Sequence, residues 1–171
     1  MIFFQVLDRR EATKWDVCIR STLPQYVFSN AVKLMEEPLC LAFHKDSWLR
    51  NVEKVRLSDI RNEKFVMLRS GGSIRTISDA IFEKEGIIPD IAFECDTVNI
   101  LRRMVQEGLG IAIWPRYSWR DHLRSETDFE NVCYRPIDNN EFKRSLYLIL
   151  QKDLKITEEL DKFCKLHRSI F

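Results

Sequence analysis

Residues 96–115 constrain the fold more than any other segment, because they combine a helix, a glycine and a strand in one short unit. A stripe of apolar side chains at helical spacing begins after Asp96, which we expect to be the N-cap. The stripe consists of Val98, Leu101, Met104 and Val105. The predicted polar face of the same helix consists of Arg102, Arg103, Gln106 and Glu107. Gly108 would end the helix, and residues 109–114 form an apolar run that predicts a strand buried on both faces, up to Pro115.

The rest of the chain alternates short apolar runs with amphipathic stretches, which is the pattern of an α/β protein. Further strands are predicted at residues 16–19, 38–43, 65–68, 91–93, 131–134 and 146–150. Helices are predicted at residues 8–14, 57–60 and 74–82, and from Thr157 onward. Gly86 would end the third of these helices, and Pro89 follows it. We therefore expect an α/β architecture with a mostly parallel sheet.

The charge balance argues against a nucleic-acid-binding surface. The 27 basic and 26 acidic side chains leave a net charge of +1, whereas a nucleic-acid-binding domain carries a basic patch. The five cysteines are scattered along the chain, so we expect no disulfide framework and a reducing cytoplasm. The apolar start of the chain, residues 1–7, is too short for a signal peptide or a membrane span. We therefore expect a soluble, cytoplasmic protein.

Two glycine-containing segments could suggest a phosphate-binding loop. Gly108 and Gly110 follow a helix and open a strand, which is the reverse of the order that such a loop requires, so we interpret them as a helix end. Residues 70–73, Ser-Gly-Gly-Ser, do follow a predicted strand and precede a helix. Glycines at such a place let backbone N–H groups approach an anion. The alternative is a tight turn in which a serine caps the helix, and the local sequence favours this alternative.

The sequence contains no recognisable catalytic or metal-binding constellation. The three histidines, His44, His122 and His167, are far apart in the sequence and lack ligand-like partners. The chain has no Gly-x-Ser-x-Gly nucleophile motif. Its four tryptophans are expected to pack against other side chains and not to form a stacking platform for a ligand. We therefore expect a binding protein that is not an enzyme and that uses no cofactor or metal.

From residue 38 to residue 115 the sequence resembles the substrate-binding domain of bacterial LysR-type transcription regulators. Similar motifs occur in family order at residues 16–19 (DVCI), 37–42 (EPLCLA), 57–60 (LSDI), 65–68 (FVML), 86–89 (GIIP) and 93–96 (FECD). The most specific motif is MVQEGLGIAIWP at residues 104–115. Each motif is weak alone, and their common order and spacing carry the resemblance.

This resemblance implies the α/β fold of a two-lobed type 2 periplasmic binding protein, with two crossover strands and an effector bound between the lobes. The first lobe would comprise residues 1–40 and 143–171, and the second lobe residues 44–138. The crossover strands would lie at or beside residues 39–43 and 146–150. The opening strand and first helix of the family are not recognisable, so we expect the first lobe to be incomplete.

By the same resemblance, the effector would contact loops of both lobes. The implied residues of the first lobe are Arg20, Ser21 and Thr22. The implied residues of the second lobe are Ser70, Gly71, Gly72, Ser73, Ile74, Asp96, Thr97 and Pro115. In this context we interpret residues 70–73 as a site for a small carboxylate or another polar metabolite. Peroxide sensing through thiols is disfavoured, because Ser73 matches the family's reactive cysteine and Phe82 lies near the position of its partner cysteine.

The resemblance also implies that the effector controls DNA binding through a helix-turn-helix domain that this chain lacks. We expect a homodimer or higher oligomer in the full-length protein and no direct contact of this chain with DNA or a membrane. Two alternatives remain open: a stand-alone solute-binding protein of the same fold, or a dimerisation module without regulatory activity.

Overall fold

The computed structural model describes residues 17–21, 31–117 and 131–150, together with residues 158, 161 and 162. In chain order the strands and α helices are β1 (Val17–Arg20), β2 (Ala31–His44), β3 (Lys64–Leu68), α1 (Ser73–Lys84), β4 (Asp90–Cys95), α2 (Val98–Gln106), β5 (Ala112–Pro115), β6 (Val132–Pro136) and β7 (Lys143–Leu150). Two short 3₁₀ helices, Trp48–Asn51 and Leu57–Ile60, lie between β2 and β3. No described helix is long and apolar enough to cross a membrane.

The chain divides into two compact units, Met1–Glu36 with Ser145–Phe171 and Glu37–Arg144. Strands β2 and β7 each contribute residues to both units. In the first unit, β1 pairs antiparallel with β7, whose Leu148 is fully buried. The first predicted strand is therefore present, displaced by one residue.

The second unit contains parallel and antiparallel strand pairs. Strand β4 pairs parallel with β3, and a parallel bridge between Phe65 and Ile111 brings the chain that enters β5 to the other side of β3. Strand β2 pairs antiparallel with both β5 and β6. The expectation of a mostly parallel sheet is wrong for the described pairings, because β1–β7, β2–β5 and β2–β6 are all antiparallel. A strand that is buried on both faces has the same apolar run whether its neighbours are parallel or antiparallel, so the sequence did not reveal the antiparallel pairing.

Side chains alternate along β3, so the two α helices of the second unit pack on opposite faces of the sheet that contains β3. Phe65 and Met67 belong to one buried cluster, which also contains Phe82 of α1. Val66 belongs to a second cluster, with Leu101 of α2. The rings of Phe65 and Phe82 meet edge to face with their centroids 5.3 Å apart. Because successive strand residues face opposite sides, both clusters are built around the same central strand.

Strand β2 is longer than predicted, since it begins at Ala31 and not at Pro38. Charged residues in the added part concealed the strand. One of them, Glu37, is fully buried; its Oε1 accepts a hydrogen bond from Arg144 Nε at 2.5 Å, and its Oε2 accepts one from the Tyr117 N–H at 3.2 Å. A buried carboxylate requires such partners. Arg144 lies 107 residues away along the chain, so local sequence could not identify it.

The glycines that follow both α helices have the conformation that the sequence predicted. Gly86 and Gly108 have φ angles of +65° and +72°, in the left-handed region that favours glycine. Gly110 has another role, which its interpretation as part of a helix end missed. A Cβ at Gly110 would lie 2.6 Å from the Lys64 carbonyl oxygen, so glycine is what allows the chain entering β5 to approach β3.

The predicted polar face of α2 is wrong at Arg102. This residue is only 8% exposed, and its guanidinium carbon lies 5.1 Å from the ring centroid of Trp114. Burial lowers the pKa of Arg102 from its ordinary value. Arg103 and Glu107 do lie on the exposed side, where they form an ion pair at 3.0 Å. The sequence pattern missed Arg102 because its aromatic partner comes from β5, outside the helix.

The last predicted elements are only partly within the described residues. The strand predicted at residues 131–134 overlaps β6, which begins one residue later, and the strand predicted at residues 146–150 lies within β7. Residues 158, 161 and 162 are helical, in agreement with a helix that begins near Thr157. The helix predicted at residues 8–14 lies outside the described part of the chain.

Candidate functional site

The C-terminal ends of β3 and β4 lie side by side, because these strands are parallel neighbours. Leu68 is opposite Cys95, and the backbone N–H of Arg69 donates a hydrogen bond to the Cys95 carbonyl at 3.0 Å. Residues 69–72 then lead into α1, and residues 96–97 lead into α2. Ligands of α/β proteins bind at this kind of edge. The structure therefore brings together two of the loops that the sequence singled out.

The loop before α1 is open and contains two glycines. Ser70, Gly71 and Gly72 are exposed, and a Cβ at either glycine would meet nothing within 4 Å. Gly71 has a φ of +105°, which favours glycine. Gly72 is the N-cap and provides no side-chain hydrogen bond; the predicted serine cap is wrong, because Ser73 is the first residue of the helix. A helix start without a side-chain cap suits an anionic ligand.

At the start of α2, side chains of the chain itself bind a backbone N–H of the helix and the side chain of Asp96. The Thr97 hydroxyl oxygen accepts a hydrogen bond from the Ile100 N–H at 3.4 Å and caps the helix. The prediction of Asp96 as the N-cap is therefore wrong by one residue. Asp96 instead forms an ion pair with Arg69 at 3.1 Å, which links the two loops. Both charged side chains are about two-thirds exposed, so solvent weakens this pair.

Arg75 links α1 to the ends of β3 and β4, although the sequence did not identify it as a site residue. Its guanidinium donates to the Leu68 carbonyl at 3.1 Å, to Asp79 at 2.8 and 2.9 Å, and also to Glu94. The side chain is 13% exposed. The hydrogen bond with Glu94 raises the pKa of Arg75 further, against the effect of burial. The four-residue spacing of Arg75 and Asp79 was a readable signal of a helix pair, whereas the contact with Glu94 required the fold.

The other predicted site residues are placed differently. Ile74 is 6% exposed and belongs to the core beneath α1, and Pro115 is buried at the end of β5. Arg20 is the last residue of β1 and does not belong to the loop after it. Ser21 follows and is half-buried, while Thr22 lies outside the described residues.

Within the described part of the chain, no group of three or more side chains is placed to hold a metal ion. Cys40 and Cys95 are buried, and Cys133 is half-buried. Burial raises the pKa of the Cys95 thiol, and nearby Asp96 raises it further. A thiol with a raised pKa is protonated at neutral pH and is a poor nucleophile.

A βαβ arrangement with an open loop at the C-terminal edge of its parallel strands is thus established for the second unit. Residues 4–169 match the family model of the LysR substrate binding domain. The chain belongs to this family.

The relatives of this LysR substrate-binding domain are transcription regulators and not enzymes, as expected. A hydrogen peroxide-inducible genes activator of Pectobacterium carotovorum subsp. carotovorum is 30% identical over 145 residues, which cover 85% of this chain and 47% of the relative. The DNA-binding transcriptional dual regulator OxyR of Escherichia coli K12 is 28% identical over the same length, with 46% of the relative covered. The chain therefore spans about half the length of these regulators.

Solved structures of LysR-type domains have the same fold. The regulatory domain of CcmR from Synechocystis PCC6803, in complex with 2-PG, matches with a TM-score of 0.77 at 18% identity. The match covers 92% of this chain and 74% of the CcmR chain. The effector binding domain of QuiR, in complex with shikimate, has a TM-score of 0.73 at 19% identity, with 92% and 72% covered. These likenesses confirm the expected two-lobed α/β fold, similar to that of periplasmic binding proteins.

Proposed function

We propose that this chain is the effector-sensing part of a LysR-type transcription regulator and that it binds a small carboxylate or a similar polar anion at residues 70–73. The start of α1 carries the proposal, because Gly71 and Gly72 are exposed and the helix has no side-chain cap there. A helix start of this kind contributes about 0.3–1 kcal/mol to the binding of an anion, and more where it is partly buried. Arg69 lies at the entrance to the same loop.

The second half of the proposed site comes from the first lobe, which we place at residues 1–40 and 143–171, with the second lobe at residues 44–138. The proposed contacts of the first lobe are Arg20, Ser21 and Thr22. Two domains of the same fold support a small anionic effector, since one is in complex with shikimate, which is a carboxylate, and the other with 2-PG. On the second lobe we place the ligand against Ser70 and Ser73, beside Asp96.

The proposed mechanism is allosteric. An effector that binds one arrangement of the lobes more tightly than another shifts the equilibrium between them, by about 1–3 kcal/mol in typical cases. That shift would change the DNA binding of a helix-turn-helix domain outside this chain. We propose that the whole regulator forms a homodimer or higher oligomer and acts in the cytoplasm, where its DNA lies.

Peroxide sensing through thiols in the α1 loop is not part of this proposal, although relatives are peroxide-inducible activators. Ser73 occupies the helix start, and burial raises the pKa of the Cys95 thiol. At neutral pH, below this raised pKa, we expect Cys95 to stay unmodified when the folded protein is exposed to hydrogen peroxide. Mass spectrometry of peptides after a timed exposure measures this. Oxidation of Cys95 at the rate of an exposed thiol would contradict the expectation.

The anion site can be tested by calorimetric titration of the chain with a panel of small carboxylates that includes shikimate and 2-PG. Gly72→Asp places a carboxylate at the proposed position of the anion, and we expect it to weaken binding about tenfold, the equivalent of about 1.4 kcal/mol. The control is Ala80→Asp, which adds the same charge on the exposed side of α1, two turns away. It should change affinity less than about twofold, because exposed charges at that separation are screened. Equal weakening by both variants, or no binding of any panel member, would contradict the proposal.

A further inference from the structure

A second concave region lies at the other end of α1. It is an open cavity of about 680 Å³, within the size range of small-molecule sites. Its walls include the segment that follows α1, the 3₁₀ helix Leu57–Ile60 with the residues on either side, and the turn after β6. The helix α1 has twelve residues and is therefore about 18 Å long. That length separates this cavity from the loop at residues 70–73.

Two arginines line the cavity without a partner in the described structure. Arg56 and Arg61 flank the 3₁₀ helix, and neither side chain forms an ion pair or hydrogen bond with any residue that the structure describes. The helix between them is anchored by Leu57 and Ile60, which are 6% and 0% exposed. The buried residues between them thus hold the backbone of both arginines in place, while the guanidinium groups have no described hydrogen-bond or ion-pair partner. A guanidinium has a planar set of donors that matches a carboxylate.

The acidic groups of the same cavity already have partners. Asn139 Nδ2 donates a hydrogen bond to Glu85 Oε1 at 3.2 Å. Asp138 lies 3.9 Å from Lys54 Nζ. The two carboxylates are therefore engaged with groups other than the arginines, and the cavity retains two cationic donors for a ligand.

The apolar wall of the cavity restricts the kind of anion further. Ile88 is 92% exposed, the highest value of any large apolar residue described, and it lines the cavity beside Ile87, which packs partly on the core. Covering an exposed isoleucine with hydrocarbon is favourable. The C-terminal end of α1 is also here, and the negative end of a helix disfavours an anion that has no other contacts. A ligand with both a carboxylate and a hydrocarbon part fits these surfaces better than a bare inorganic anion does.

We propose that this cavity is a second ligand site, which takes a small carboxylate with an aliphatic part: its carboxylate binds Arg56 and Arg61 and its hydrocarbon covers Ile88. The site is separate from the one proposed at the start of α1 and does not depend on it.

The test is an NMR titration of the isotope-labelled chain, with hexanoate as the probe and inorganic phosphate as the bare anion. The Nε–Hε signals of Arg56 and Arg61 and the methyl signals of Ile88 should shift with one common Kd for hexanoate. The double variant Arg56→Gln/Arg61→Gln should weaken hexanoate binding at least about tenfold, and Ile88→Ser should weaken it by a smaller factor. Phosphate should bind more weakly than hexanoate.

The control is Arg50→Gln, which removes another exposed arginine whose side chain has no described partner and which does not line the cavity. It should leave the Kd unchanged, as should Gly72→Asp at the other end of α1, so that failure of one site can be told from failure of the other. Hexanoate binding that survives the arginine double variant, phosphate binding as tight as that of hexanoate, or no shift at either arginine would overturn the proposal.

Discussion

The strand–helix units β3–α1 and β4–α2 are neighbours built on the same plan, and they differ at the start of their helices. In both, a strand ends at the same edge and a short turn leads into a helix. The start of α2 is capped by the Thr97 hydroxyl, whereas the start of α1 follows Gly72 and has no side-chain cap. The difference is that the chain itself completes the start of α2, whereas the start of α1 lacks a side-chain cap and is where we propose that the ligand binds.

The segments β3–α1 and β4–α2 also depend on glycine for different reasons. In the loop between β3 and α1, Gly71 is required by its φ of +105°, while the space around it is open. After α2, Gly110 is required by space, because Lys64 O and Val66 Cγ2 would lie 2.6 and 3.1 Å from an added Cβ. A side chain added in the loop before α1 therefore meets no core atom, whereas one added at Gly110 does.

The largest expected effect comes from Gly110→Ala. The added methyl would push the chain entering β5 away from β3 and strain the hydrogen bonds of the Ile111 N–H to Lys64 O and of the Val66 N–H to Ile111 O, both 2.8 Å. Overpacking of this kind costs about 1–3 kcal/mol, and contact with backbone places this case at the upper end. Urea unfolding measures the loss. The control is Gly72→Ala, which meets open space at a φ of −84° and should cost less than about 1 kcal/mol; equal losses would show that close approach is not the cause.

A smaller effect is expected from Thr97→Ala, which removes the side-chain cap of α2. Loss of an N-cap hydroxyl typically costs about 1 kcal/mol. The matched change is Thr76→Ala, in the exposed interior of α1, where the hydroxyl bonds the Gly72 carbonyl within the helix and alanine is the better helix former. It should alter the free energy of unfolding by less than about 0.5 kcal/mol. If the two variants lost the same stability, Thr97 would not be acting as a cap and the contrast between the helix starts would disappear.

Sequence patterns predicted those features that depend on neighbouring residues. Apolar runs located the cores of β3, β4 and β5, and Gly86 and Gly108 marked the ends of both helices, because period and backbone conformation are local properties. The order of motifs also identified the family, since each motif is a short segment that can be matched on its own.

Several features that the sequence missed depend on distant partners. Glu37 and Arg102 are charged residues in positions that the patterns assigned to solvent or left outside a strand, and each is buried through a contact with another element. Asp96, which the sequence predicted as the cap of α2, instead forms an ion pair with Arg69 of the neighbouring loop, and Thr97 is the cap. A pattern of hydrophobicity contains no information on such pairings.

The smallest expected effect, and the most direct test of the contrast, is Gly72→Ser. This change gives α1 the kind of side-chain cap that α2 has, at an N-cap whose φ of −84° and ψ of 153° suit serine. Serine caps a helix better than glycine by a few tenths of a kcal/mol, and replacing glycine at a compatible position also reduces the entropy of the unfolded chain, so a gain of about 0.5 kcal/mol is expected in urea unfolding. Gly71→Ser is the control and must act in the opposite direction, because its φ of +105° strains any side chain. Stabilisation by Gly72→Ser together with weaker binding of the carboxylate panel would mean that the uncapped start of α1 is kept for the ligand at the expense of stability. Loss of stability would mean that Gly72 is needed by the local backbone and that the open helix start is not the binding feature.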